Sequence, residues 1–111
     1  MPTTFNNAQV QLSTTATTDV YQCPATTGNT AVVMSIMVAN VDGTASADIT
    51  IHKTDSSNTL QSYLAFTVPV PADSSLECVA TRIVLKAGEK IRATASAAGD
   101  LHVTVSALEN T

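Results

Sequence analysis

The side chains able to do chemistry are few and scattered. There are two histidines, His52 and His102, two cysteines, Cys23 and Cys78, and nine acidic residues in 111. Nucleophilic catalysis needs a serine or cysteine beside a base, and no serine stands in a Gly-x-Ser-x-Gly turn. Zinc sites need clustered cysteine and histidine, and a lone Cys23 and Cys78 supply no such spacing. Both histidines fall on strand faces that read as polar, which suits surface or interface positions. Six aspartates, Asp19, Asp42, Asp48, Asp55, Asp73 and Asp100, lie mostly in turn-like segments. Asp serves turns by bonding its own backbone. Calcium would need clustered oxygen ligands, and no Asp-x-Asp pattern supports that. With four glycines there is no phosphate-cradling loop. Tyr21 and Tyr63 are the candidates for sugar stacking, and packing is their better use. No cofactor, metal or catalytic residue is implied.

The charge pattern narrows the partners. The net charge is -4, with five cations. Lys53, Arg82, Lys86, Lys90 and Arg92 are too few for a phosphate track, so nucleic acid is not an expected partner. No apolar run reaches membrane-spanning length, and Met1 to Gln9 lacks the basic and apolar regions of a secretory signal. Cytoplasmic synthesis and reduced thiols are expected, with a Cys23–Cys78 bridge left open if two strands bring them together.

The elements that carry these residues read as strands. Thr, Ser, Ala and Val dominate, and β-branched residues suit a pleated surface. Thr30 to Val41 holds the apolar run Val32, Val33, Met34, Ile36, Met37 and Val38, expected to be covered on both faces. Asp42-Gly43 is expected to close a hairpin into Ala47 to Lys53. Leu60 to Val68 follows, with Leu64, Phe66 and Val68 inward, ended by Pro69 and Pro71. Leu76 to Leu85 is expected to hold one or two strands bent near Ala80-Thr81. Lys90 to Ala97 and Leu101 to Leu108 alternate cleanly around Gly99-Asp100 and are expected to pair as a hairpin. Asp19 to Cys23 is a short strand stopped by Pro24.

The fold expectation is all-β, a single antiparallel β-sandwich of jelly-roll type with about seven or eight strands. Residues 1–16 form an N-terminal arm or edge strand, and 17–111 the sandwich domain. Tryptophan is absent and aromatics are 4%. So thin a core favours a homo-oligomer, a trimer before others.

The succession Val38-Ala-Asn-Val-Asp-Gly-Thr44, Phe66-Thr-Val-Pro-Val-Pro-Ala-Asp-Ser-Ser-Leu76, Ile83-Val-Leu-Lys-Ala-Gly-Glu-Lys-Ile-Arg-Ala-Thr-Ala-Ser96 and Val103-Thr-Val-Ser-Ala-Leu-Glu109 resembles small β-sandwich proteins of tailed-phage virions. The resemblance covers about residues 30–109. It departs where the group commonly has Gly-Asp in place of Gly88-Glu89 and Tyr in place of Ala107. It implies a virion protein, assembled in the host cytoplasm, with no catalytic residue. A capsid decoration or cement protein on the major capsid protein lattice is the leading expectation. A tail, baseplate or fibre-associated adaptor bound to a tail protein is the alternative, and a carbohydrate- or metal-binding module the third. Candidate contacts are Phe5, Val10 and Leu12, for strand addition to a neighbour, and Arg82, Lys86, Lys90 and Arg92, for an acidic partner. Residues 1–16 are expected to be dispensable for folding.

Overall fold

The computed structural model describes residues 3–78 and 82–111. It contains nine strands and, among the described residues, no helix: β1 (Thr3–Gln11), β2 (Thr18–Gln22), β3 (Thr30–Asn40), β4 (Ala47–Thr54), β5 (Leu60–Val70), β6 (Ser75–Glu77), β7 (Ile83–Lys86), β8 (Lys90–Ala95) and β9 (Leu101–Asn110). They build two antiparallel sheets. One runs β1-β9-β3-β6 with β7 also on β3; the other runs β2-β8-β4-β5. This is the all-β sandwich expected. The bend placed near Ala80-Thr81 falls outside the described residues.

Period-two alternation sets the core. Leu101, Val103, Val105 and Ala107 of β9 face Ile49, Ile51, Ile91, Ala93 and Ala95 of the opposite sheet, all buried. Val33, Ile36 and Val38 of β3 complete the layer. The register of β3 on β9 shifts between Val33 and Ser35. That bulge moves the inward set from odd, Ala31 and Val33, to even, Ile36, Val38 and Asn40, which is why the apolar run is continuous in sequence. It also turns Met37 outward, 41% exposed, so β3 is not covered on both faces.

Two expected hairpins are absent, and both for one reason: the chain crosses between sheets at those turns. β3 and β4 lie in different sheets, as do β8 and β9. At the first crossing, buried Asn40 donates to Ala45 O at 3.0 Å and Val70 O at 2.9 Å and accepts from Asp42 N at 2.9 Å. The Asp42 carboxylate accepts from Thr44 N, Thr44 Oγ1 and Ala45 N. These bonds hold the carboxyl below its usual range and shape a corner instead of a tight turn. Gly43 does not take the positive φ that a two-residue hairpin demands. At the second crossing Gly99 does, at 80°. Its N–H donates to Leu12 O at 2.8 Å, and Leu12 N–H returns to Leu101 O at 2.9 Å.

β5 departs from its expected facing. Its pairing with β4 shifts register at three places, and Thr67 sits at φ 47°. Val70 reaches the core, Leu64 and Val68 pack on it in part, and Phe66 is turned out, 60% exposed.

Candidate interaction surfaces

The four-stranded sheet carries a polar row on its outer face. Register aligns Asp19 of β2 with Arg92 of β8, Arg92 with His52 of β4, and His52 with Tyr63 of β5. Alternation puts Lys90, Arg92 and Thr94 on this side of β8, because Ile91, Ala93 and Ala95 point in. Asp19 bridges both cations: Arg92 Nε at 2.5 Å and Lys90 Nζ at 3.0 Å. Lys90 also donates to Asn58 Oδ1 at 2.9 Å. Burial opposes ionisation of Asp19, and the two cations outweigh it, so its carboxyl stays below the ordinary value. Lys53 pairs with Glu89 at 3.1 Å, and Gln61 donates to the same carboxylate.

His52 sits edge-on to Tyr63 at 5.9 Å, and Tyr63 edge-on to Phe66 at 4.8 Å. Desolvation, with the Arg92 charge beside it, lowers the His52 value. His52 Nδ1 has no hydrogen-bond partner in its buried position. The imidazole therefore stays neutral at pH 7 and packs as an aromatic.

A second polar cluster is buried between the sheets. Tyr21 of β2 donates its hydroxyl to the Glu109 carboxylate of β9 in a short hydrogen bond. Asn6 Nδ2 of β1 donates to the same oxygen at 3.1 Å. Tyr21 and Glu109 are 6% and 9% exposed. Burial first, then the carboxylate, drives the phenol far above its ordinary value. The signal for Glu109 lay in the parity of β9: it continues Leu101, Val103, Val105 and Ala107 inward. The cluster ties the two sheets and offers no open space for a substrate.

The expected contact residues separate. Phe5 is 75% exposed on β1. Val10 is half-buried and packs against the core. Leu12 is a correction: at 1% exposure it is a core residue and presents no surface. β1 pairs with β9 without a break from Thr3↔Asn110 to Gln11↔His102. Its sheet partner is thus within the chain, and its other edge is open. The four cations do not form one patch. Lys90 and Arg92 are already paired with Asp19 on the four-stranded sheet, whereas Arg82 and Lys86 are exposed at the two ends of β7 in the other sheet.

Cys23 and Cys78 are free thiols, the first buried and the second half-buried. Among the described residues no group of three or more His, Cys, Asp or Glu side chains is placed to hold a metal ion.

No protein-family model matches the sequence, and no curated protein does. Solved structures do match in fold. A chain of the capsid of Helicobacter pylori bacteriophage KHP30 superposes with TM-score 0.60 at 10% identity, covering 96% of this chain and 86% of that one. A chain of the Bacillus endospore appendages, a family of disulfide-linked pili, gives 0.54 at 11%, covering 98% and 88%. A chain of the T13 IBDV viral particle gives 0.51 at 8%, covering 96% of this chain and 30% of that one. At these identities the likeness is one of fold: the chain resembles β-sandwiches of virus particles and of a bacterial appendage.

Proposed function

We propose that this chain is a structural protein of a phage particle, a decoration or cement protein that docks on the major capsid protein lattice and stabilises the shell. The observation that carries the proposal is the match over 96% of the chain to a phage capsid chain of nearly its own extent. Fold alone does not assign function. The surfaces add support. Polar clusters are consumed in internal pairs, at Asp19 and at Glu109, and several large apolar side chains are exposed, Phe5, Val41, Leu60, Phe66 and Val84 among them. Exposed apolar groups of that size mark contact surfaces more often than reaction sites. On this reading copies associate with one another as well as with the lattice.

The test is the copy number of this protein in purified particles, by quantitative mass spectrometry against the major capsid protein. A number in fixed proportion to that protein supports decoration of the shell. A handful of copies moves the chain to the tail or baseplate, and absence from the particle ends the virion reading.

A further inference from the structure

The two broad faces of the sandwich differ in charge. On the five-stranded sheet, register places Phe5, Leu108, Val32 and Val84 in one outward row across β1, β9, β3 and β7. Phe5 is 75% and Val84 57% exposed, and Leu108 and Val32 are half-buried. Gln9, Thr104 and Met37 form another outward row. Asn7 and Ser106 lie between the two. Among the described residues, ionised groups reach this face only at the β6/β7 margin, where Glu77 stands on β6 and Arg82 and Lys86 at the two ends of β7. All three ion pairs among the described residues draw their cations from the other sheet.

We propose that this neutral face is the surface through which two copies of the chain pair, sheet against sheet. Three observations select a second copy. The first is charge. Each copy carries a net charge of -4, and copies repel wherever acids face acids. Of the nine acids Glu77 alone stands on this face, at its β6 edge; Asp19 and Asp48 are on the opposite sheet, Asp42, Asp55, Asp73, Asp100 and Glu89 in loops and turns, and Glu109 inside. Away from the β6/β7 margin two copies meet here with no like-charge penalty, and a partner selected by charge finds little to read. The second is area. β1, β9 and β3, of 9, 10 and 11 residues, with the 3 of β6 and 4 of β7, cover roughly 600 Å² of plane at about 3.3 Å per residue and about 4.8 Å per strand, or about 1,200 Å² over two copies. That is the lower end of the range for specific interfaces. The third is geometry. An uncharged sheet face packs on another at about 10 Å, the spacing of stacked sheets. A patch that matches itself closes by a two-fold axis. With that axis running across the strands, Lys86 of one copy comes over the Glu77 end of the other. Glu77 keeps its bonds to Ser35 Oγ and Ile36 N.

This pairing goes beyond attachment to a particle and does not depend on it. The test is sedimentation equilibrium of the full chain, with circular dichroism to check folding. The wild type is expected to sediment as a dimer at micromolar concentration. Val84→Glu and Phe5→Glu, both at exposed positions, each weaken association at least about tenfold while remaining folded. Tyr63→Glu, on the other sheet, stays dimeric. A monomeric or trimeric wild type overturns the proposal, as does a dimer that survives both variants or dissociates with Tyr63→Glu. A monomer whose Val84→Glu form no longer attaches to particles gives this face to the lattice, and then the proposed function stands while the pairing fails.

Discussion

Replacing Tyr21 by phenylalanine removes one hydroxyl from the seam between the sheets and leaves the ring in place. The Glu109 carboxylate then keeps only the Asn6 amide, at 3.1 Å, of the two side-chain donors described for it. At 9% exposure, water has little access to replace the lost bond. A hydrogen bond to a charged group contributes about 1.5–3 kcal/mol. Unfolding entropy of about 2.1 cal/mol/K per residue, over 111 residues, converts that loss to a fall of about 6–13 °C in Tm. Thermal melts of Tyr21→Phe at neutral pH read it directly. Glu109→Gln completes a double-mutant cycle: in its background the Tyr21→Phe loss should shrink, because no charge is left to satisfy. The alkaline side gives an independent reading. The folded phenol holds its proton far above the ordinary 10.0. The unfolded chain releases it near that value, so the tyrosine's contribution is complete below pH 10 and declines as pH rises beyond. Wild type should therefore lose stability above pH 10 faster than Tyr21→Phe. An unchanged Tm in the variant, equal losses in both backgrounds, or a Tyr21 tyrosinate signal near pH 10 in the folded protein would refute the reasoning.

Further predictions concern the arm, the ion pairs and the thiols. Leu12→Ala should cost about 2–5 kcal/mol in urea unfolding as a core deletion, and Phe5→Ala no more than about 0.5 kcal/mol as a surface one; equal effects would contradict their burial. Removing residues 1–12 should lower stability sharply, against the expectation from sequence, because Leu12 leaves the core and β9 loses a neighbour. Asp19→Asn should cost under about 1 kcal/mol, because the pair is half-exposed, and less in high salt. Its carboxyl titrates below the ordinary 3.8, so the contribution is full above that pH and fades as pH falls further. A loss that persisted at pH 2 would assign the effect to something other than the ion pairs. A thiol reagent at pH 7 should react slowly with Cys78, whose thiol burial pushes up to about 11, and with Cys23 only on unfolding.

Class and strand positions were legible because the inward side chains obey period two. Ile91, Ala93 and Ala95, and Leu101, Val103 and Val105, are inward as the alternation requires. Sheet membership was not legible. Asp42-Gly43 has the composition of a hairpin, but the Asn40 side chain, by bonding Val70 O across the sandwich, commits the chain to the other sheet. Nothing local in the sequence announces a bond 30 residues away. The same limit applies to the candidate surfaces. Leu12 looked like part of a polar arm because its neighbours in sequence are polar, while its neighbours in space are the Leu101 backbone and the core. Phe66 looked inward until the register shift between Ile49↔Val68 and Ile51↔Ala65, which brackets it, changed its side. Bulges reset parity, and parity is what a sequence reading counts.

The union of the first strand with the last has a consequence for how the chain is made. Thr3 lies beside Asn110, so the two ends of the sandwich are neighbours in space. β1 is synthesised before β9 and waits for it before it has a sheet to join. Contacts that span so many residues are formed late and slowly, and the sandwich closes only once β9 is available to β1. The same adjacency means that a short linker can join the two ends. A circular permutant opened at the loop around Ser56 and Ser57, where the backbone is exposed, would place β1 next to β9 in sequence order and bring that closure to the start of folding.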